Sequence, residues 1–211
     1  MTPFAGIPDA AFEFYTELEH NNNRGWWLAH KATYDSAVKE PLTGLLAELE
    51  PEFGGAKLFR PNRDIRFSLD KSPYKTAQGA VATVAEGMGF YVQLDADGLL
   101  IGGGYHTHTP AQLARFRSAV DAPSSGEVLQ RIVAEVRAVG FTVEGETLKT
   151  VPRGFDKDHP RAELLKHKSL AAGTHVGRPG WLSTPDAAGE VARRWEQLRP
   201  LVEWIGRYAA P

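Results

Sequence analysis

Three strand-like runs follow one another between Ala80 and Tyr105, and the links between them are too short for a crossover. The runs are Ala80-Val81-Ala82-Thr83-Val84-Ala85, Gly89-Phe90-Tyr91-Val92-Gln93-Leu94 and Leu99-Leu100-Ile101-Gly102-Gly103-Gly104-Tyr105. Strands joined this closely can only pair antiparallel. Asp95-Ala96-Asp97-Gly98 is a hairpin signal, with a glycine for positive φ. The segment from about residue 57 to 106 is therefore predicted to be a β-meander. Its apolar faces need cover from the rest of the chain.

That cover reads as helical. Asp9 can cap a helix with Phe12, Tyr15 and Leu18 on one side, ended by Asn21-Asn22-Asn23. A second helix is expected through Trp27, Lys31, Tyr34 and Val38, and a third after Pro41 with Leu42, Leu45, Leu46 and Leu49 as its stripe. Trp26 and Trp27 read as packing residues. Beyond the meander, Thr109-Pro110 opens a helix through Leu113, Phe116 and Val120. Ser125 can cap the next, with Val128, Leu129, Ile132, Val133 and Val136 as its apolar face and Gly140 just past its end. Phe141 to Val151 reads as extended around Gly145, and Asp158-His159-Pro160 as the cap and entry of a short helix through Leu164 and Leu165. Thr184-Pro185 opens a last helix with Val191, Trp195, Leu198, Val202 and Ile205, which Pro200 should kink or split. Helices, then strands, then helices give an α+β fold: an antiparallel meander packed with N-terminal and C-terminal helices. A chain of 211 residues with 42% apolar residues suits one such domain, helical over about 9–50 and mixed over 110–206.

Composition excludes several chemistries. There is no cysteine, hence no disulfide, thiolate zinc site or cysteine nucleophile. No run approaches the ~18 apolar residues that span a bilayer. The first residues carry neither a basic nor a long apolar signal segment. A cytoplasmic protein without a membrane partner is the expectation. No cofactor fingerprint is present: Gly102-Gly103-Gly104 lacks both the dinucleotide spacing and the Walker lysine, and reads as a close backbone approach.

Charge is unevenly placed. From Lys57 to Lys75 six cations (Lys57, Arg60, Arg63, Arg66, Lys71, Lys75) face two carboxylates, Asp64 and Asp70. That local +4 sits in a chain of net −2, so the remainder carries −6. Arginine forks grip phosphate or carboxylate with two bonds. Ser68 and Tyr74 add a hydroxyl and a phenol. If Arg60 to Phe67 is extended, Arg60 and Arg66 share a face and Arg63 takes the other. On that face Arg63 needs a partner, which Asp64 or Asp70 can provide only if the chain bends. Arg63-Asp64 and Asp70-Lys71 can thus pair internally, so the segment reads either as a ligand clamp or as a self-satisfying loop.

Asn21 to Lys31, Arg63-Asp64-Ile65-Arg66-Phe67-Ser68, Asp70-Lys71-Ser72-Pro73-Tyr74-Lys75-Thr76 and Leu148 to Pro160, in that order, resemble an uncharacterised bacterial and fungal family, domain of unknown function 2461. The likeness runs from about Phe12 to His175. It implies a single α+β domain and supplies no catalytic residues. His106-Thr107-His108 departs from the family pattern. These two histidines can face one side of an extended chain, but no third ligand is nearby, and no metal site is assigned.

The expected ligand-binding set is Arg60, Arg63, Arg66, Ser68, Lys71, Tyr74, Lys75 and Arg153. His159, Asp64 and Asp70 are the candidate acids and bases, His159 because its ordinary pKa lies near neutrality. The expected ligand is an anionic small molecule bearing phosphate or carboxylate, in a pocket where chemistry on it is conceivable. The alternative is a nucleic-acid or protein interaction module using the same basic segment, a reading that the net charge of −2 weakens.

Overall fold

The computed structural model describes residues 4–66, 69–106 and 109–209. The chain is α+β, with a six-stranded antiparallel sheet in the order β1-β2-β3-β4-β6-β5. The expected meander is β2 (Ala77–Ala85), β3 (Met88–Asp95) and β4 (Gly98–Tyr105). β1 (Ala56–Leu58) lies outside β2 at one edge, and β5 (Thr142–Glu144) forms the other edge. Packing divides the chain into two compact units. The first takes in the chain up to Ala82 with Tyr91–Ile101 and His175–Arg193, and the second takes in Thr83–Phe90, Gly102–Thr174 and the chain from Arg194 onward.

In the first unit α1 (Asp9–His20) buries Phe12, Tyr15 and Leu18, together with Ala11 and Phe14. Its N-cap is Pro8, so Asp9 is not the cap. Asp9 stands in the first turn, where a carboxylate favours the helix dipole. The predicted break before Pro41 is absent. α2 (Arg24–Thr33) runs through a π-helical segment (Tyr34–Lys39) into α3 (Glu40–Phe53). Proline has no N–H to give, and here the turn before it is wound wide, with Glu40 N–H donating to Asp35 rather than to Ser36. The leucine stripe of α3 is buried as expected.

In the second unit a capping box starts α4 (Pro110–Asp121): Thr109 Oγ1 accepts from Gln112 N–H at 3.2 Å, and Gln112 Oε1 accepts from Thr109 N–H at 2.8 Å. α5 (Pro123–Ala138) begins earlier than predicted, so Ser125 lies inside it and is not a cap. Its hydroxyl donates back to the Ala119 carbonyl at 2.6 Å. α6 (Ala162–Leu165) buries Leu164 and Leu165, but Arg161, not Asp158, precedes it as N-cap. β6 (Leu170–His175) had no clear signal in the sequence. Its backbone leaves no room for a Cβ on Gly104, which would stand 2.5 Å from Ala171 Cα, and crowds one on Gly102, 3.0 Å from the Ala172 carbonyl, which accounts for two of the three glycines. α7 (Asp186–Tyr208) is continuous through Pro200, contrary to the predicted split. Pro200 is exposed, so its ring stands in solvent rather than against the packed face of the helix.

Arg161 fixes the α4–α5 corner. Its side chain is 7% exposed, and it donates from Nε to the Val120 carbonyl at 2.6 Å and from Nη2 to the Asp121 carbonyl at 2.8 Å. A cation there satisfies carbonyls that the end of α4 leaves open. Gly126 packs against both partners, and a Cβ on it would collide with the Val120 carbonyl and with the Arg161 side chain. Gly126→Ala is expected to destabilise by about 1–3 kcal/mol through overpacking, read as a lower denaturant midpoint at unchanged slope.

Candidate functional site

Each asparagine of Asn21-Asn22-Asn23 has its own task. Asn21 closes α1, its backbone N–H donating to Leu18 at 3.2 Å and its Nδ2 to the Glu17 carbonyl at 2.9 Å. Asn23 caps α2 by accepting from Trp26 N–H at 3.0 Å. Asn22 reaches far along the chain. Its Nδ2 donates to the Tyr74 carbonyl at 2.9 Å and its Oδ1 accepts from Tyr74 N–H at 3.1 Å. The opposite side of that strand segment is paired too: Asn62 and Tyr74 form an antiparallel bridge, flanked by Arg63 N–H to Pro73 at 2.9 Å and Lys75 N–H to Pro61 at 2.8 Å. The buried Tyr74 ring stacks on Trp27, with centroids 4.1 Å apart and planes at 9°. Trp27 is thus a packing residue, as expected.

A second buried network holds the start of this segment. Tyr34 Oη donates to Gln78 Oε1 at 2.7 Å, and Gln78 Nε2 donates to the carbonyls of Phe59 at 2.7 Å and Gly79 at 3.0 Å. Gln78 therefore uses its oxygen and both its N–H groups. Burial first, and then the Asp35 carboxylate, push the Tyr34 phenol up to about 12, so it remains a donor.

The charges between Arg60 and Lys75 are distributed differently from the extended reading. The chain forms no regular strand over Arg63–Arg66 and bends at Pro61, Arg66 and Leu69, so alternation of faces does not apply. Neighbouring residues do not pair; the bend brings other partners together. Arg66 grips Asp64 with a fork, Nε to Oδ1 at 2.9 Å and Nη2 to Oδ2 at 2.6 Å, and Arg63 pairs with Asp70. Lys71 Nζ donates to the Ile65 carbonyl at 2.9 Å, and Asp70 Oδ1 accepts from Ser72 N–H at 2.8 Å. The Arg66 fork holds the Asp64 carboxyl below its usual range. Hydrogen bonds from Ser72, and then Arg63, do the same for Asp70. Arg63, Arg66, Lys71, Asp64 and Asp70 thus all bond within the loop. Phe67 and Ser68 lie outside the described residues.

Beside the loop is a groove of about 730 Å³. One wall is helical: Trp27 and Lys31 of α2, and Tyr34, Asp35 and Lys39 of the π segment. The other wall is Lys57 to Asn62 with Lys75. Five cations and one carboxylate line it. Lys31 pairs with Asp35. Lys75 Nζ donates to the Arg60 carbonyl at 3.1 Å and stands 5.6 Å over the Phe59 ring. Lys39, Lys57 and Arg60 have no ion-pair partner among the described residues. Of the residues expected from sequence, Arg60 and Lys75 line the groove. Lys31, Lys39 and Lys57 were not in the expected set. Lys31 stood on the predicted second helix and Lys39 just past its last named residue, while Lys57 was counted with the basic segment; what the sequence did not show is that the helix and the segment face one groove.

Arg153 and His159 belong to the second unit and do not line this groove. Arg153 is exposed. His159 Nδ1 accepts from Arg161 N–H at 3.0 Å, which leaves the proton on Nε2, 3.3 Å from Asp121 Oδ1. Both ring nitrogens therefore serve the corner that Arg161 fixes. His106 is exposed, and His108 lies outside the described residues. Among the described residues no three histidine, aspartate or glutamate side chains are grouped to hold a metal, and no helix is long and apolar enough to cross a membrane.

The model of a family described as a conserved hypothetical protein, DUF2461, matches residues 10–204. The chain belongs to the DUF2461 family. No curated protein and no solved structure matches it. The DUF2461 match takes in Asn22, the basic loop, the groove and the Arg161 corner.

Two outcomes are expected. Asn22→Ala strands two backbone groups of Tyr74 and should cost about 1–3 kcal/mol, measured by chemical denaturation. The pH dependence follows from Asp64 and Asp70, whose folded pKa values are depressed. Their contribution is complete above the ordinary carboxylate value near ~3.9 and is lost as pH falls through the lower folded values. NMR titration of the two carboxyls should give midpoints below that value, and midpoints at it would remove the proposed pairings.

Proposed function

We propose that this protein binds an anionic ligand, a molecule bearing phosphate or carboxylate groups, in the groove between the α2–π helix and Lys57–Asn62. The observation that carries this reading is the groove's five cations against one carboxylate, with Lys39, Lys57 and Arg60 unpaired among the described residues. A concave wall lined with one sign of charge raises the local concentration of an anion. The concavity favours a bound ligand over a flat track for nucleic acid.

The reading is of binding rather than catalysis. The one carboxylate lining the groove, Asp35, is paired with Lys31, and the one phenol, Tyr34, is kept protonated and donates to Gln78. Neither is poised to move a proton. A cytoplasmic setting, rich in phosphorylated and carboxylated metabolites, suits this activity.

A thermal-shift screen of inorganic phosphate, nucleotides and di- and tricarboxylates at low salt tests the proposal. A ligand at ~100 times its dissociation constant should add about 2.7 kcal/mol. The shift should vanish in the double variant Lys57→Glu/Arg60→Glu and persist in Arg153→Glu. An equal shift in the double variant and the parent would place the ligand elsewhere.

A further inference from the structure

Six consecutive residues, Lys57 to Asn62, line the groove. The face of a strand offers only alternate residues, whereas its edge offers all of them. β1 ends the sheet, so its outer edge is not taken by another described strand. The register gives the direction of each backbone group. Phe59 N–H donates to Gly79 at 2.9 Å, and Lys57 lies opposite Val81, so Phe59 and Lys57 turn their polar groups toward β2. Leu58 and Arg60 alternate with them and turn theirs outward. The Arg60 carbonyl is already engaged by Lys75 Nζ at 3.1 Å, which leaves the backbone of Leu58 as the outward pair. Leu58 N–H and C=O make no hydrogen bond with another described group besides any within the strands.

We infer that the groove receives an extended acidic peptide, which adds as a strand along the outer edge of β1 and pairs with Leu58 while Lys31, Lys39, Lys57 and Arg60 meet its carboxylates. This rests on the anion-binding reading above and names the class of ligand. Strand addition takes affinity from main-chain bonds and selectivity from alternate side chains. Lys31 and Lys39 stand eight residues apart on the helical wall, at most about 12 Å along it, since the π segment rises less per residue than an α-helix. An extended chain covers that distance in about four residues, so acids at alternate positions keep pace with the cations. A small anion would leave the Leu58 pair unused. A single-stranded nucleic acid needs open aromatic faces to stack on. Trp27 is covered by Tyr74, and the Phe59 ring has Lys75 Nζ 5.6 Å from its centroid and the Tyr91 ring 6.2 Å away.

The probe is a fluorescein-labelled octapeptide alternating glutamate and valine, followed by anisotropy at low salt. Two N-methylated versions carry the methyl groups on one or the other alternate set of amides. In strand pairing only one set faces β1, so one version should bind about ten-fold weaker and the other like the parent. Leu58→Pro removes the outward N–H without touching the β1–β2 ladder, a place where an edge strand accepts proline. It should weaken the peptide and spare inorganic phosphate. If both methylated peptides bind equally, while Arg60→Glu abolishes both peptide and phosphate binding, strand addition is wrong and the anion groove stands. If Arg60→Glu changes neither, the groove reading itself fails. Tighter binding of a single-stranded oligonucleotide of equal charge would also overturn the peptide assignment.

Discussion

The carboxamide of Asn22 pairs with both backbone groups of Tyr74, and the basic loop depends on it. Tyr74 is placed by that pair so that its ring lies flat on Trp27. Its strand segment then holds Pro61 and Arg63 on the other side, and Lys75 falls over Phe59 and the Arg60 carbonyl. Ordering a loop costs about 1–2 kcal/mol per residue in backbone entropy. Exposed ion pairs return about 0–1 kcal/mol each, too little to meet that cost. Arg63–Asp70 and Arg66–Asp64 therefore shape the loop, and the buried contacts of Tyr74 and Gln78 hold it. Stability and site geometry come from the same few groups.

The wide turn at Tyr34–Lys39 is the second constraint. It carries the helix across Pro41 without a break and contributes three of the groove's lining residues. A break there would separate Lys39 from the face that carries Trp27 and Lys31. Here an irregularity forced by one proline also shapes the candidate site.

Much of the fold was legible because its signals are local. The tight hairpins, the stripes of α1 and α3, the Thr109 cap and Gly140 at the end of α5 depend on neighbours within a turn or two. β1 and β5 are three residues each and carry no periodicity of their own. Pro200 looked disruptive because its exposure is a tertiary fact. The asparagine run was read as a helix stop, true of Asn21, while the work of Asn22 lies fifty-two residues away. Asp70 was open to Arg63 only through a bend, and that pair forms, whereas the Arg66–Asp64 fork had no signal in the sequence.

The folded chain distributes the charge differently. The count that drew attention to Lys57–Lys75 included Arg63 and Arg66, which Asp64 and Asp70 largely neutralise in place. The groove recovers an equal excess by drawing Lys31 and Lys39 from the helix. The cations that line the groove are then four lysines and one arginine, not a set of arginine forks. Lysine is a mobile, strongly hydrated point charge with little directional demand. A lysine-lined groove can select for negative charge but cannot by itself fix the orientation of a carboxylate. Orientation must come from a rigid, directional element, and the groove has one in the outward backbone of β1. An anionic group alone would be held loosely there, whereas an anionic chain with its own backbone to pair would be held in register.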